Sequence, residues 1–227
     1  MDNKKLNKVL SKTDPIKRNV EKKLEADELS PMDPPVAYGA EQNITDYAYE
    51  DYHKAIQQFI DEHKVALDFI NDFENALTIF KANAYVHDEY TNGAFKAFFS
   101  FFDDNLLKHN EREEKALFPL LHKRLIEVGE HSNGTLNPTT AINLMEDDHV
   151  QFIQLGTLAF NLMGLASRIL HPQSKTFILD VAYDNARELI ELLKLHIYRE
   201  DNRLFPLAQK FITEEEFEKI HVEMGKY

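Results

Sequence analysis

The chain has 227 residues, of which 43% are hydrophobic, and this is enough apolar material to bury one sizeable core. Its formal net charge is -13, so phosphate backbones would repel the body of the protein, and a nucleic-acid partner is not expected. The absence of cysteine excludes disulfides, iron–sulfur clusters held by protein thiolates, and cysteine nucleophiles.

The composition predicts an all-α chain. Ala, Leu, Glu and Lys are common, whereas glycine is sparse, with 7 residues, and the 8 prolines lie mostly near the ends of apparent elements. The N-terminal sequence lacks the apolar core of a secretory signal, and no apolar run is long enough to cross a membrane. We therefore expect a cytoplasmic protein with no membrane partner.

The N-terminal arm, residues 1–45, differs from the rest of the chain in charge. Residues 1–23 carry eight Lys or Arg and three Asp or Glu, so this segment is about +5 and the remainder is about -18. A solvated tail is the simpler interpretation, and a docking segment is the alternative. The three prolines between Ser30 and Pro35 predict an extended linker. We place the domain boundary near residue 45, so that residues 46–227 form one domain.

Two long helices are predicted in the first half of this domain. Apolar residues recur every three or four positions from Tyr49 to Lys81, which is the spacing of one buried helix face. Asn92 and Gly93 predict a turn, and a second apolar stripe follows it and stops by Gly129.

Two more long helices and a short one are predicted in the second half. Asn137, which is followed by proline, is predicted to cap a third helix that ends before His171. Ser174 is predicted to cap a fourth helix, which a later proline kinks. Thr213 and Glu216 form the capping-box pattern of a short last helix. The predicted fold is an all-α, up-down four-helix bundle with a non-bundle N-terminal arm and a short C-terminal helix.

Two of the ten histidines have a glutamate four residues later, and the two segments continue alike. One reads H-NER-E-EKA-LFPL from His109, and the other reads H-IYR-E-DNR-LFPL from His196. The glutamates Glu113 and Glu200, an arginine and the Leu-Phe-Pro-Leu run all fall in the same register. A repeat that contains metal-type residues in this way is hard to obtain by accident.

A looser repeat supplies the other part of each unit. Glu62 and His63 in the first helix correspond to Asp148 and His149 in the third. The intervals to the following motifs agree, at 46 positions in the first half and 47 in the second. This pattern predicts a duplicated helix pair, in which each pair gives one histidine from its first helix and His-x-x-x-Glu from its second.

The predicted helices bring these side chains to one place. Positions i and i+4 lie on the same face of a helix, and all six residues fall in the apolar stripes. In a bundle core, each unpaired imidazole or carboxylate would cost on the order of 1–3 kcal/mol, and a pair of metal ions would remove that cost. The candidate metal-site residues are His63, His109, Glu113, His149, His196 and Glu200.

At these positions the sequence resembles the hemerythrin or HHE cation-binding family, in which a histidine and a His-x-x-x-Glu motif occur twice, in order, on four helices. The match spans roughly residues 50–210. The resemblance implies that the four histidines are terminal ligands and that Glu113 and Glu200 bridge two Fe ions, which are oxo- or hydroxo-bridged when oxidised. The residue types alone would also admit manganese or zinc.

The chain also carries other histidines near the predicted helices and the residue spacing of a second iron-binding fold. His53 and His63 lie on different faces of one helix, and His63 is preferred because apolar residues bracket it. His87 remains an alternative outer ligand. The ferritin-like spacing Glu-x-x-His also occurs, but it is rejected because two of its three instances lie at the start of the first helix and in the tail. Those instances are Glu50/His53, Glu146/His149 and Glu218/His221.

Two departures from the family pattern narrow the function. Blood-type hemerythrins carry a fifth histidine four residues from the third-helix ligand, where this chain has Met145 and Ile153. Iron-centre repair proteins of the family usually carry cysteine in an N-terminal extension, and this chain has none. Both an oxygen-carrier role and a repair role are therefore disfavoured.

The sequence leaves several functions open and does not decide whether the protein is an enzyme. The favoured one is a non-haem diiron protein that binds dioxygen or nitric oxide in a sensing or binding role, because no acid/base residue besides the ligands is visible. The alternatives are a diiron oxidoreductase that turns over peroxide, nitric oxide or oxygen with a redox partner, iron storage or donation including repair of iron centres, and a metal-free helical scaffold.

Overall fold

The computed structural model describes residues 47–131 and 138–227, and these residues are all-α, as the sequence predicts. The predicted N-terminal arm, residues 1–45, lies outside the described residues. No strand occurs in the two described stretches. A search of the same stretches for a helix that is long and apolar enough to cross a membrane found none.

In the described residues, the helices form four rods and a short terminal helix. The second rod is α2 to α4, joined by the π-helical segments π1 and π2, and the fourth rod is α6 and α7, joined by π3. The elements are α1 (Lys54–Ala82), α2 (Glu89–Phe101), π1 (Phe102–Leu106), α3 (Leu107–Arg112), π2 (Glu113–Leu117), α4 (Phe118–Glu127), α5 (Ala141–Ala166), α6 (Pro172–Arg199), π3 (Glu200–Leu204), α7 (Phe205–Phe211) and α8 (Glu214–Met224).

The rods pack as two helical hairpins. The first hairpin pairs α1 with the second rod, and the second pairs α5 with the fourth rod. Contacts between α1 and α6 and between α4 and α5 close the bundle, while α8 packs against π2 and α1. The prediction of an all-α bundle is confirmed.

The buried apolar residues form two clusters, and the candidate site lies between them. On α1, His63 follows Phe59 of one cluster and precedes Ala66 of the other. On α5, His149 likewise lies between Met145 and Phe152. Each fully buried large side chain stabilises the fold by about 1.5–3 kcal/mol, so apolar packing on both sides holds the polar layer in place.

The two Leu-Phe-Pro-Leu runs change the helix geometry beside the site. Proline cannot donate a backbone hydrogen bond, and its ring clashes with the carbonyl four residues earlier. A π-helical turn precedes each run, so that Phe118 donates its N–H to the carbonyl of Glu113, and Phe205 donates to Glu200. Both candidate bridging glutamates therefore open a π segment.

The predicted turn at Asn92 and Gly93 is wrong. These residues lie in the first turns of α2, which Asp88 caps by accepting the Thr91 N–H at 2.8 Å. The chain reverses earlier, at Ala84 and Tyr85, whose φ angles are 51° and 61°. Neither residue is typical of the left-handed region, so composition gave no signal for this turn.

Two of the predicted caps differ in the structure. The predicted cap Asn137 lies outside the described residues, and Thr140 caps α5 by accepting the Ile142 N–H at 3.2 Å. Ser174 is not the cap of α6. The side chain of His171 caps that helix, and Pro172 takes the first position, where no N–H partner is needed.

The predicted capping box of the last helix is confirmed. Glu216 accepts the backbone N–H of Thr213 at 3.0 Å, and the helix follows directly as α8. The predicted stop of the second rod by Gly129 is also confirmed, since α4 ends at Glu127 and Gly129 has a φ of 85°.

Candidate metal centre

The structure brings the six candidate residues into one buried layer in the middle of the bundle. Each of them is at most 5% exposed. They form two overlapping clusters that share both glutamates. The first cluster is His63, His109, Glu113 and Glu200, and the second is Glu113, His149, His196 and Glu200.

Each glutamate points one oxygen at each histidine pair. Oε1 of Glu113 lies 3.5 Å from His109 Nε2, and its Oε2 lies 3.5 Å from His149 Nε2. Glu200 likewise contacts both pairs: its Oε1 lies 3.3 Å from His196 Nε2, and its Oε2 lies 3.2 Å from His63 Nε2. The two carboxylates thus span two centres, each of which is faced by two imidazole nitrogens and two carboxylate oxygens.

The distances between imidazole nitrogens fit a shared cation. Nε2 of His63 is 3.1 Å from Nε2 of His109, and Nε2 of His149 is 3.2 Å from Nε2 of His196. Two donors that are each about 2.1 Å from a metal lie about 3.0 Å apart when they subtend a right angle and about 3.4 Å apart at the tetrahedral angle. Both observed distances fall between these two values, so each histidine pair can bind one cation through its two Nε2 atoms.

Four further carboxylates, which form an outer ring around the six candidate residues, orient the imidazoles. Each histidine directs its Nδ1 to a carboxylate, and a carboxylate can only accept, so Nδ1 carries a proton. In the neutral ring the lone pair is then on Nε2, which faces the centre and can bind a cation. The pairs are His63 with Asp201 at 2.8 Å, His109 with Glu62 at 2.7 Å, His149 with Glu114 at 2.8 Å and His196 with Asp148 at 3.3 Å.

This outer ring is absent from the sequence-based set of candidates, although the sequence carries a signal for it. Every carboxylate of the outer ring is adjacent in sequence to one of the six candidate ligands, as Glu62 is to His63 and Asp201 is to Glu200. The repeated arginine also has a role in the ring. Arg112 donates to Glu62 at 2.7 Å, and Arg199 donates to Asp148 at 3.2 Å in the other half.

The charges around the histidines shift their pKa values. Burial alone would lower the pKa of His63, but the hydrogen bond to Asp201 and the negative charge of the facing Glu200 outweigh it and raise that pKa to about 10. Burial also opposes the charged form of His149, and the carboxylates of Glu113 and Glu114 raise its pKa to about 10. The site is therefore arranged to hold positive charge.

The two shared glutamates stay ionised although they are completely buried. Burial raises the pKa of each, and the attraction of the facing imidazoles outweighs it, so that the pKa of Glu113 is lowered and that of Glu200 is lowered further. All four of their carboxylate oxygens lack a hydrogen-bond partner among the described residues. Buried anionic oxygens without donors fit a site for metal cations.

The phenylalanines of the Leu-Phe-Pro-Leu runs pack directly on the imidazoles. Phe205 stacks on His63 with ring centroids 5.5 Å apart, and Phe118 stacks on His149 at 5.7 Å. The sequence predicts a kink in the fourth helix at the second of these runs. The structure adds that they form an apolar cover over one histidine in each half.

The position of a fifth histidine is taken by an apolar side chain. Met145, one turn before His149, is buried in the core, whereas Ile153, one turn after it, is exposed. A histidine would thus have to replace Met145 to reach the centre. His87 does not supply a further ligand, because it is exposed beyond the end of α1 and belongs to neither cluster.

His53 belongs to a separate cluster with Glu214 and Glu218. Its Nδ1 accepts the N–H of Ala55 at 3.1 Å and so caps α1. The proton of a neutral ring then lies on Nε2, 3.6 Å from a carboxylate oxygen of each glutamate, which leaves no lone pair for a metal. We interpret this cluster as an attachment of α8 to α1.

A cleft of about 700 Å³ reaches the first histidine pair from the surface. It runs between α1 and the second rod, and both His63 and His109 line it. Glu62 and Arg112 of the outer ring line it as well, and small Ala66 forms part of its wall.

The fold and the site define a helical bundle whose buried layer of histidine and glutamate fits a metal site. A family model described as the hemerythrin HHE cation binding domain matches residues 54–208. This match covers more than half of the chain, and the chain belongs to that family, as the sequence motifs predict. Comparisons with curated proteins and with solved structures gave no match.

Proposed function

We propose that the chain holds two iron ions and binds dioxygen or nitric oxide in a sensing or binding role. The observation that carries the proposal is the orientation of Glu113 and Glu200, each of which points one oxygen at each histidine pair. Iron, when bound, supplies reversible binding of small diatomic ligands and one-electron redox chemistry.

The donor set supports iron over the other metals. Structural zinc sites usually include cysteine thiolates among their four ligands, and this chain has no cysteine. Manganese and magnesium favour oxygen-rich sites, and imidazole suits iron. Two nitrogens and two oxygens at each centre are a mixed set of the kind that iron accepts.

The number of donors leaves room for a ligand. The chain offers four donor atoms to each centre, and an octahedral ion takes about six. An oxygen bridge between the ions would fill one further position on each, and one would stay open. Met145 and Phe59, which precede the α5 and α1 histidines by one turn, offer no nitrogen or oxygen donor that would close it.

The surroundings favour binding over turnover. Each of the four outer carboxylates, Glu62, Glu114, Asp148 and Asp201, is engaged by an imidazole. Glu62 is further held by Arg112, and its pKa is lowered to about 2, because hydrogen bonds from His109, Gln58 and Arg112 outweigh its burial. A carboxylate this acidic is a poor general base at neutral pH.

The cleft beside His63 and His109 favours a second candidate, a diiron oxidoreductase. Its volume of about 700 Å³ is far larger than a diatomic molecule needs, since one water occupies roughly 30 Å³ of liquid. A larger substrate or an electron donor could approach the first histidine pair through it.

Metal content tests the proposal first. Protein purified with iron available should hold close to two irons per chain, measured by elemental analysis. Ala in place of His109 or His196 should remove most of it, whereas His122→Ala and His221→Ala should not. About one iron or none in the unmodified chain would contradict the two-iron site, and equal losses in all four variants would contradict the residue assignment.

Optical spectra separate binding from turnover. We expect azide or nitric oxide to change the visible spectrum of the iron-loaded protein, because each centre has an open position. Addition of dioxygen to the reduced protein should give a spectrum that differs from that of the oxidised form if the protein binds it. Rapid conversion to the oxidised spectrum, repeated whenever a reductant is present, would favour the oxidoreductase.

A further inference from the structure

The outward face of α5 is uncharged although the chain as a whole carries a formal charge of -13. No Asp, Glu, Lys or Arg occurs from Val150 to Ser167. At about 100° per residue, the exposed positions of this stretch cover roughly half of the helix circumference. They are Val150, Ile153, Gln154, Thr157, Leu158, Phe160, Asn161, Gly164, Leu165 and Ser167.

We propose that this face binds the same face of a second copy of the chain, with the two α5 helices antiparallel about a two-fold axis near Thr157. Two copies of an acidic chain repel each other, and an uncharged face is where they can approach with the least repulsion. This inference does not depend on the proposed iron chemistry.

The charges at the ends of the face are complementary in an antiparallel pair. Exposed Glu146 and Asp147 precede the uncharged stretch, and exposed Arg168 follows it. Pairing about Thr157 places residue 168 of one copy opposite residue 146 of the other, and this occurs twice in a symmetric dimer. A parallel arrangement would instead place acid against acid and arginine against arginine.

Gly164 fits the same register. A Cβ at this position would meet nothing within 4 Å, so packing inside the chain does not require glycine there. Glycine in an exposed helix is unfavourable relative to alanine, whereas it allows close approach of a neighbouring helix. In the antiparallel pair Gly164 lies opposite the exposed Val150 of the second copy, which fills the gap.

The size of the face sets the expected strength of the dimer. The charged ends lie about 33 Å apart along the helix, so two such faces bury on the order of 700 Å² in total. This is less than the roughly 1,200–2,000 Å² that stable complexes bury, so we expect a weak, transient dimer that dissociates in the high micromolar range.

Sedimentation velocity of the 227-residue chain, with and without added iron and across the micromolar range, tests the proposal. We expect a concentration-dependent equilibrium between monomer and dimer. Thr157→Glu places two like charges together at the axis and should raise the dissociation constant at least about tenfold, whereas Val222→Glu, on α8, should not change it. A chain that stays monomeric at every concentration overturns the proposal. This holds even if the α5 face is then found to bind residues 1–45 or lipid vesicles.

Charge reversal tests the antiparallel register. Arg168→Glu should weaken the dimer, and adding Glu146→Arg and Asp147→Arg to the same chain should restore it. The chain has no cysteine, so Thr157→Cys should form a disulfide between copies under mild oxidation, with Val222→Cys as the control. Equal cross-linking of both variants, or no recovery in the triple variant, would overturn the register.

Discussion

Neutralising Asp148 should weaken iron binding more than neutralising any other carboxylate of the outer ring. Asp148 accepts from His196 Nδ1 at 3.3 Å and from Arg199 at 3.2 Å, and it is 2% exposed. Asn in its place can still accept a hydrogen bond, but it cannot stabilise an imidazole that donates charge to a metal. Loss of such an outer partner typically reduces metal affinity 10- to 100-fold, which corresponds to about 1.4–2.7 kcal/mol.

The exposure of the four outer carboxylates sets the expected order. The side chain of Glu114 is 40% exposed, that of Asp201 is 30% exposed and that of Glu62 is 29% exposed. Water can replace part of the lost interaction at these positions, because the surrounding dielectric is higher. We therefore expect Asp148→Asn near the upper end of the range and Glu114→Gln near its lower end.

Competition with a ferrous chelator under anaerobic conditions measures these affinities. Asp180→Asn is the matched control, because Asp180 accepts from Lys81 and Tyr85 and belongs to neither cluster nor the outer ring. Circular dichroism of the metal-free variants checks that each still folds. Unchanged affinity in all four variants would refute the orienting role of the ring, and equal losses at Asp148 and Glu114 would refute the dependence on burial.

Iron removal by a chelator should lower the melting temperature, because the buried oxygens of Glu113 and Glu200 lose their cations; an unchanged value would contradict the site. In urea denaturation of the metal-free chain, Gly156→Val should lower the free energy of unfolding by about 1–3 kcal/mol, since even a Cβ would lie 3.0 Å from the Phe102 ring. Gly164→Ala should raise that of the monomer by about 0.5–1 kcal/mol, because a Cβ there meets no atom within 4 Å and alanine favours the helix. Hydrogen bonds from the Thr213 N–H and, more weakly, from Arg124 hold the pKa of Glu216 below its ordinary value of 4.5. The stability lost in Glu216→Gln should therefore be constant above pH 4.5 and should vanish as the pH falls through the lowered pKa. A loss of stability that does not depend on pH would contradict this prediction.

The sequence predicts that the six residues of the buried layer come together, because helical spacing carries the required information. His109 and Glu113 are four residues apart, so any helix places them on one face. The duplication then relates them to His196 and Glu200, and the apolar stripes turn all of them inward. Assignment of these residues as iron ligands remains a prediction that the metal analysis above tests.

The outer ring depends on pairings between helices, which spacing along the chain does not specify. His63 and its partner Asp201 are 138 positions apart, and their contact follows from how the two hairpins pack. The turn at Ala84 and Tyr85 was missed for a different reason, because neither side chain favours positive φ and the surrounding packing imposes it. The sequence was sufficient to predict features that depend on residues within one helix, such as the capping box at Thr213.

The donors to the candidate centre are exchanged between the two hairpins. Each histidine pair comes from one hairpin, but it is faced by one glutamate of its own hairpin and one of the other. Two of the outer contacts cross in the same way, from Asp201 to His63 and from Glu114 to His149. Neither hairpin alone can therefore complete a centre, and bound metal would act as a removable cross-link between the two halves of the duplication, in addition to the polypeptide that joins them.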